Sequence, residues 1–306
     1  MLTKKSVVSI GDISNDDIFR VFERASSFKQ KLSKGEKIKT MDGKIMATLF
    51  FEPSTRTRLS FESAMHRLGG DVISVSEPKS SSASKGETLA DTIRMASSYS
   101  DIIAMRHPME GAARLASEFS SVPVLNGGDG SGQHPTQTLL DLFTIWEKFK
   151  SLDDLNISMV GDLKYGRTVH SLLRALNRFD TTITLISPES LEMPDHILST
   201  LDHPEKVTKG TDINPILEKT DVFYVTRIQK ERFVDLNDYA KVIGSYSFDP
   251  ETVSKMKKNA IIMHPLPRVD EISPDVDRDP RAFYFKQAEN GVYVRMALID
   301  MILGGA

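Results

Sequence analysis

The chain has 306 residues, 40% apolar and 26% charged, which is long for one hydrophobic core and suits two α/β domains. A formal net charge of −3 gives no basis for nucleic-acid or anionic-membrane partners, and no apolar run is long enough for a transmembrane helix or a signal peptide, so a cytoplasmic protein is expected. The absence of cysteine removes disulfides, thiolate metal sites and a thiol nucleophile together.

Residues 14–32 read as an amphipathic helix with Ile18, Phe22, Ala25 and Phe28 on one face and Ser14 as its N-cap. Residues 45–51 read as a buried strand that ends near Pro53. A helix follows, with Phe61, Ala64, Met65 and Leu68 as its stripe, Ser54 as N-cap and Gly69-Gly70 as its stop. Residues 71–76 form a short strand, and 77–86 (EPKSSSASKG) a polar loop. Next come a helix over 87–98, a strand over 101–105 ending in Arg106, a helix over 110–119 and a strand over 122–125. That strand opens into the glycine-rich segment 127–132, read as a loop whose backbone can approach a ligand closely. His134 and Pro135 then start a long helix to about residue 148. The second half repeats the alternation: strands over 157–161, 182–186, at Val207, over 221–226, 242–246 and 260–263, with helices over 167–179, 195–201, 213–218, 250–257 and 290–303.

Strand, polar-tipped loop and helix in repetition predict two open, mostly parallel sheets flanked by helices. Ligands of such sheets bind beyond the carboxyl ends of the strands. Segments 54–58 and 134–137, with Arg106, Arg167, Arg227, Gln229, Leu266 and Pro267, all fall there. Taken singly, each is an ordinary cap or turn former; the coincidence points to a site.

The charge at the start of the second helix is unusual. Arg56 and Arg58 lie in its first turn, where the helix dipole is already positive and each cation costs up to about 1 kcal/mol. Two readings stand. An anion completes the site, cradled by hydroxyls, backbone N–H groups and guanidinium forks, or the arginines pair with Glu52 or Glu62. His134 is either a helix-start histidine bonded to local backbone or a donor to a developing oxyanion. Pro267 restricts Leu266 to an extended conformation, so the turn either ends a strand or presents bare carbonyls to an amide donor. The segment GDLKYGR after the strand at 157–161 lacks the glycine spacing of a dinucleotide site. With several arginines, Lys85, hydroxyls, His134 and glutamines but no carboxylate pair, the inventory points to polyanionic ligands and electrostatic catalysis without metal or cofactor.

The motifs PSTRTR (53–58), KGETLADT (85–92), RHPMEGAARL (106–115), HPTQTLLDL (134–142), GDLKYGRTVHSL (161–172), TRIQKER (226–232) and HPLPRVDEI (264–272) occur in series. In that order and over essentially the whole chain they resemble the catalytic chains of aspartate carbamoyltransferases. The resemblance implies a carbamoyl-phosphate domain of residues 1–134 plus 290–306, a linking helix over 135–149, and an aspartate domain over 150–285, with the last helix returning to the first domain. It implies that Ser54, Thr55, Arg56 and Thr57 hold the phosphate of carbamoyl phosphate. Arg106, His134 and Thr57 face its carbonyl oxygen, and Gln137 with the Leu266 and Pro267 carbonyls receives its amino group. Arg167, Arg227 and Gln229 hold the carboxylates of L-aspartate. Members form homotrimers with shared active sites, to which Ser81 and Lys85 contribute from a neighbour, and some bind a zinc-containing regulatory chain. No role carries over to Arg58, which reads as an ion-pair or packing residue. The competing readings are an ornithine carbamoyltransferase, whose motif reads HCLP where this chain has HPLP at 264–267, and a non-catalytic scaffold.

Overall fold

A computed structural model describes residues 2, 5–75, 86–130, 132–228, 239, 242, 244 and 246–304. In chain order, the first half contains α1 (Asn15–Ser33), β1 (Ile45–Phe50), α2 (Thr55–Arg67), β2 (Asp71–Val75), α3 (Leu89–Tyr99), β3 (Ile102–His107), α4 (Ala112–Phe119), β4 (Val124–Asp129) and α5 (Pro135–Phe149). The second half contains β5 (Leu155–Val160), α6 (Arg167–Leu176), β6 (Thr181–Ile186), α7 (Asp195–Leu198), β7 (Val207–Gly210), β8 (Val222–Val225), α8 (Pro250–Ser254), β9 (Ile261–Met263) and α9 (Tyr284–Leu303). Two compact units result, one of Met1–Phe143 with Ala288–Ala306 and one of Thr144–Gln287.

The first unit holds a four-stranded, all-parallel sheet in the order β2-β1-β3-β4. Its core joins Ala47 and Leu49 of β1 and Ile103 and Met105 of β3 to Ile93 of α3 and Ala113 and Ala116 of α4. The Ser14 hydroxyl caps α1, accepting from the Asp17 amide at 3.1 Å, and Ile18, Phe22, Ala25 and Phe28 are all buried. The end of α9 lies in the same unit, where Asp300 pairs with Arg24 of α1 at 2.6 Å and Asn290 accepts from Lys29 at 2.9 Å.

The second unit holds a five-stranded, all-parallel sheet in the order β7-β6-β5-β8-β9. The stripe of α6 (Val169, Leu172, Leu173 and Leu176) is fully buried. Gly161 follows β5 at φ +116°, and a Cβ there would sit 2.3 Å from the carbonyl oxygen of Thr226, just beyond β8. Only glycine lets these two strand ends come so close.

Three expectations change. Strand β4 continues through Gly127 and Gly128 to Asp129 and is buried throughout, so the first part of the glycine-rich segment is strand. It must run on because β3 pairs with it as far as His107, with a register shift after Met105. Residue 242 is helical where a strand was expected, and Tyr246 lies in a bend. Helix α9 starts at Tyr284, well before residue 290. Packing sets that start: Tyr284 is fully buried, and the Gln287 side chain accepts the His264 amide at 2.8 Å.

Replacing Gly161 with Ala is expected to destabilise the protein by about 2–4 kcal/mol, through left-handed strain plus overpacking against Thr226. A drop in the urea midpoint at unchanged slope checks this; an unchanged midpoint would mean that the β5 and β8 ends can separate freely.

Candidate active site

In each sheet the strand order reverses once, between β1 and β3 in the first and between β5 and β8 in the second. Helices on opposite faces diverge there and leave a crevice beyond the strand carboxyl ends. Residues 54–57 follow β1 and Arg106 lies near the end of β3 at the first of these points, and Arg167 and Arg227 follow β5 and β8 at the second, whereas His134 and Gln137 come after β4 and Leu266 and Pro267 after β9.

In the first unit, β1 leads through Glu52 into α2, and Phe50 pairs with Arg106, near the end of β3. Ser54 occupies the N-cap position of α2, but its hydroxyl makes no capping bond. The amides of Thr55, Arg56 and Thr57 precede the first intrahelical bond, from Arg58 N–H to Ser54 O at 3.1 Å, so they open outward from the helix start. No acidic residue balances that first turn. Thr55 is exposed, Ser54 half-buried and Thr57 buried.

The arginines divide unequally. Arg58 pairs with Glu62 one turn along, at 3.6 Å. Glu52 is engaged by Arg106, whose Nε lies 3.0 Å from its carboxylate and whose Nη1 donates to Gly127 O at 3.2 Å. Arg56 has no hydrogen bond or ion pair among the described residues, and burial pulls its pKa below the usual arginine value. An accessible cation at a positive helix end, with its neighbouring carboxylates occupied, suits an anionic ligand.

On β4, Gly127 packs against Thr57 and Phe61 of α2. Beyond it, Asp129 accepts the Gln133 amide at 2.9 Å and the Gly111 amide at 2.9 Å, which shapes the turn that delivers His134 to the start of α5. His134 is 4% exposed, and its carbonyl begins the helical ladder by accepting from Gln137 and Thr138. The Gln137 Nε2 donates to Asp141 at 2.9 Å. A carboxylate only accepts, so the Gln137 amide oxygen is turned away from Asp141.

In the second unit, Asp162 Oδ1 accepts the Lys164 and Tyr165 amides at 3.1 and 3.0 Å and bends the chain after β5. Arg167 is the first residue of α6, another helix start without an acidic residue. Thr226 Oγ1 donates to Val160 O at 3.1 Å and Asp162 O at 3.2 Å, fixing the exit of β8 just before half-buried Arg227. Two arginines at adjacent strand ends suit a dianionic ligand through their planar forks. Ser81, Lys85 and Gln229 lie outside the described residues.

Beyond β9, Leu266 is not extended. Its φ is +55°, and the Leu266–Pro267 bond is cis. The cause is His264, whose Nδ1 accepts the Leu266 amide at 2.7 Å and whose Nε2 lies 2.6 Å from Glu271 Oε1. Glu271 Oε2 in turn accepts the Val269 and Asp270 amides at 3.1 and 3.2 Å. This buried imidazole–carboxylate clamp closes the turn on itself, and no described donor bonds the Leu266 or Pro267 carbonyl. Burial raises the Glu271 carboxyl, but hydrogen bonds from His264 and the backbone outweigh it and hold its pKa below the ordinary value. Sequence reasoning missed the roles of Glu52, Asp141, His264 and Glu271. Glu271 and His264 carried a signal in their place within the HPLPRVDEI motif; the Glu52–Arg106 pair depends on the β1–β3 neighbourhood, which no spacing reveals.

Residues 5–147 match the carbamoyl-P binding domain of the aspartate/ornithine carbamoyltransferase family, and residues 153–302 match its Asp/Orn binding domain. The aspartate carbamoyltransferase catalytic subunit of Thermoplasma volcanium is 63% identical, covering 99% of this chain and 100% of the relative. Among solved structures, the catalytic subunit of M. jannaschii aspartate transcarbamoylase is 51% identical, with a TM-score of 0.92 and 98% of each chain covered. Aspartate transcarbamoylase from Trypanosoma cruzi in complex with carbamoyl phosphate and aspartate is 42% identical, with a TM-score of 0.93, covering 99% of this chain and 96% of that one.

The clamp predicts a pH signature. Because the folded pKa of Glu271 lies below its ordinary 4.5, its stabilisation is present in full above that value and is lost as pH falls through the lower, folded one. Glu271→Gln is therefore expected to cost about 1.5–3 kcal/mol at neutral pH, with the gap to wild type narrowing in acid. Denaturant midpoints measured down the acid limb test this, and a gap independent of pH would remove the charged clamp.

Proposed function

The chain belongs to the aspartate/ornithine carbamoyltransferase family, and from that premise we propose how its residues divide the work. The reaction is transfer of the carbamoyl group from carbamoyl phosphate to the α-amine of L-aspartate, which gives N-carbamoyl-L-aspartate and phosphate, a step of de novo pyrimidine biosynthesis. The full-length likeness to aspartate carbamoyltransferase catalytic subunits carries this reading. The arginines at both order reversals support it. The motif at 264–267 reads HPLP, without the cysteine of an ornithine enzyme's HCLP, and Arg167 with Arg227 suits a dicarboxylate and repels a cationic side chain.

Ser54, Thr55, Arg56 and Thr57 take the phosphate, with outward amides and an unpaired guanidinium as its ligands. Arg106, His134 and Thr57 stabilise the carbonyl oxygen. Gln137, with its amide oxygen free of Asp141, and the Leu266 and Pro267 carbonyls accept from the carbamoyl amino group. Arg167, Arg227 and Gln229 hold the aspartate carboxylates. The neutral α-amine attacks the carbamoyl carbon, and Arg106, His134 and Thr57 hold the tetrahedral oxyanion. The bond from carbon to the phosphate oxygen then breaks, and the departing phosphate accepts the amine's proton.

The working assembly is a cytoplasmic homotrimer in which a neighbour supplies Ser81 and Lys85. In support, Leu59 of α2 and Ile73 and Val75 of the edge strand β2 are exposed apolar side chains of the first unit. No described helix is long and apolar enough to cross a membrane. Assembly mass separates a bare trimer from one carrying a zinc-containing regulatory chain.

With carbamoyl phosphate and either aspartate or ornithine supplied in parallel, product is expected from aspartate alone. Arg227→Ala should raise the aspartate KM by about tenfold or more while leaving the carbamoyl phosphate KM near wild type. Product from ornithine, or an unmoved aspartate KM, would overturn the carboxylate assignment.

Arg56→Ala is expected to lower kcat by about 10²–10³ at an unchanged unfolding midpoint. Mixed trimers of Arg56→Ala and Lys85→Ala chains should regain activity, because some sites then contain neither substitution. Mixed trimers that stay inactive, once shown to form, would refute sharing.

A further inference from the structure

Arg295 of α9 is a cation inside the first unit, only 2% exposed. Its Nη1 donates to Ser60 Oγ of α2 at 2.9 Å and its Nη2 to Thr136 Oγ1 of α5 at 3.2 Å. The guanidinium lies 4.8 Å from the ring centroid of Phe61. One guanidinium thus spans the helix that starts at residues 54–57 and the helix that starts at 134–137. A second observation shows that space is kept for it. A Cβ on Gly291, one turn earlier, would lie 2.5 Å from Arg295 Nη1 and 3.0 Å from Leu140 Cδ2. Asp141, itself fully buried, receives the Gln137 amide nitrogen.

We propose that Arg295 is a positioning residue for carbamoyl transfer: its fork sets the phosphate-binding start of α2 against the start of α5. With Asp141 it holds the Gln137 amide with its oxygen toward the carbamoyl amino group. This rests on the roles assigned above to residues 54–57, His134 and Gln137. Burial lowers the Arg295 pKa to about 10, opposed by the charge of Asp141, so the group remains a cation at neutral pH. A planar fork reaches two helices at fixed angles, which an ammonium cannot reproduce.

Arg295→Lys keeps the charge beside Asp141 and removes the fork. The double variant Arg295→Met with Asp141→Asn leaves no unpaired charge buried and guards against misfolding of the single change. Inorganic phosphate reads the α2 start alone, whereas carbamoyl phosphate reads both helix starts. In each folded variant, inhibition by phosphate is expected to stay within about twofold of wild type, while the carbamoyl phosphate KM rises about tenfold and kcat falls about tenfold. Parallel loss of phosphate and carbamoyl phosphate binding, or no change in either, would overturn the positioning role. Acetyl phosphate, with methyl in place of the amino group, tests the underlying reading on the wild-type enzyme. It should bind more weakly than carbamoyl phosphate, and equal binding would refute the Gln137 assignment whatever Arg295 does.

Discussion

The placement of the candidate residues in each unit follows from parallel pairing. A parallel strand cannot return by a tight turn, so each crosses over through a helix, and every strand presents its carboxyl end at the same edge of its sheet. Where the order reverses, successive helices take opposite faces and the strand ends are left uncovered. The chain reverses once in each unit, and its arginines are concentrated there. Arg56 and Arg106 follow β1 and lie near the end of β3; Arg167 and Arg227 follow β5 and β8. Topology chooses the place, and the loop residues choose the chemistry.

The first unit shows how charge is apportioned within such a place. Its carboxylates are too few for its guanidiniums. Glu62 serves Arg58, which is thereby a structural residue, and Glu52 serves Arg106. Arg106 is held on two sides, by Glu52 and by Gly127 O, so its direction is set before any ligand arrives. Arg56 is left at a helix end that already repels it. Burial in addition lowers its pKa. On the proposed reading, a bound phosphate offsets both.

Much of this was readable from sequence because local physics decides it. The stripes of α1, α2 and α6 at helical spacing are buried as their periodicity requires, and Ser14 caps as its residue type suggests. The candidate residues Arg106, Arg167 and Arg227 were readable as polar groups at or after strands, and the structure has them there. Long-range packing decides the rest. Gly127 and Gly128 look like loop but are strand, because β3 needs a partner there. Ser54 has the residue type of a cap without making the bond. Leu266 ought to be extended before a proline, and a backbone amide held by His264 overrides that preference. Arg295 sits among the apolar residues of α9, where a charged letter reads as surface.

The two buried clamps, His264–Glu271 in one unit and Arg295 in the other, share a logic. Buried ionic groups seldom hold a fold better than well-packed apolar side chains of the same volume. What they add is direction. Apolar packing tolerates small rotations with little loss, whereas a hydrogen bond weakens steeply once its angle closes. His264 fixes one amide and so turns Leu266; Asp141 fixes one amide nitrogen and so turns Gln137. Catalysis by preorganised charge fails when donors stand about 1 Å out of place. The proposed reaction, whose leaving group accepts the proton itself, depends on that placement more than on any single pKa, and buried polar clamps supply it where loops alone would not.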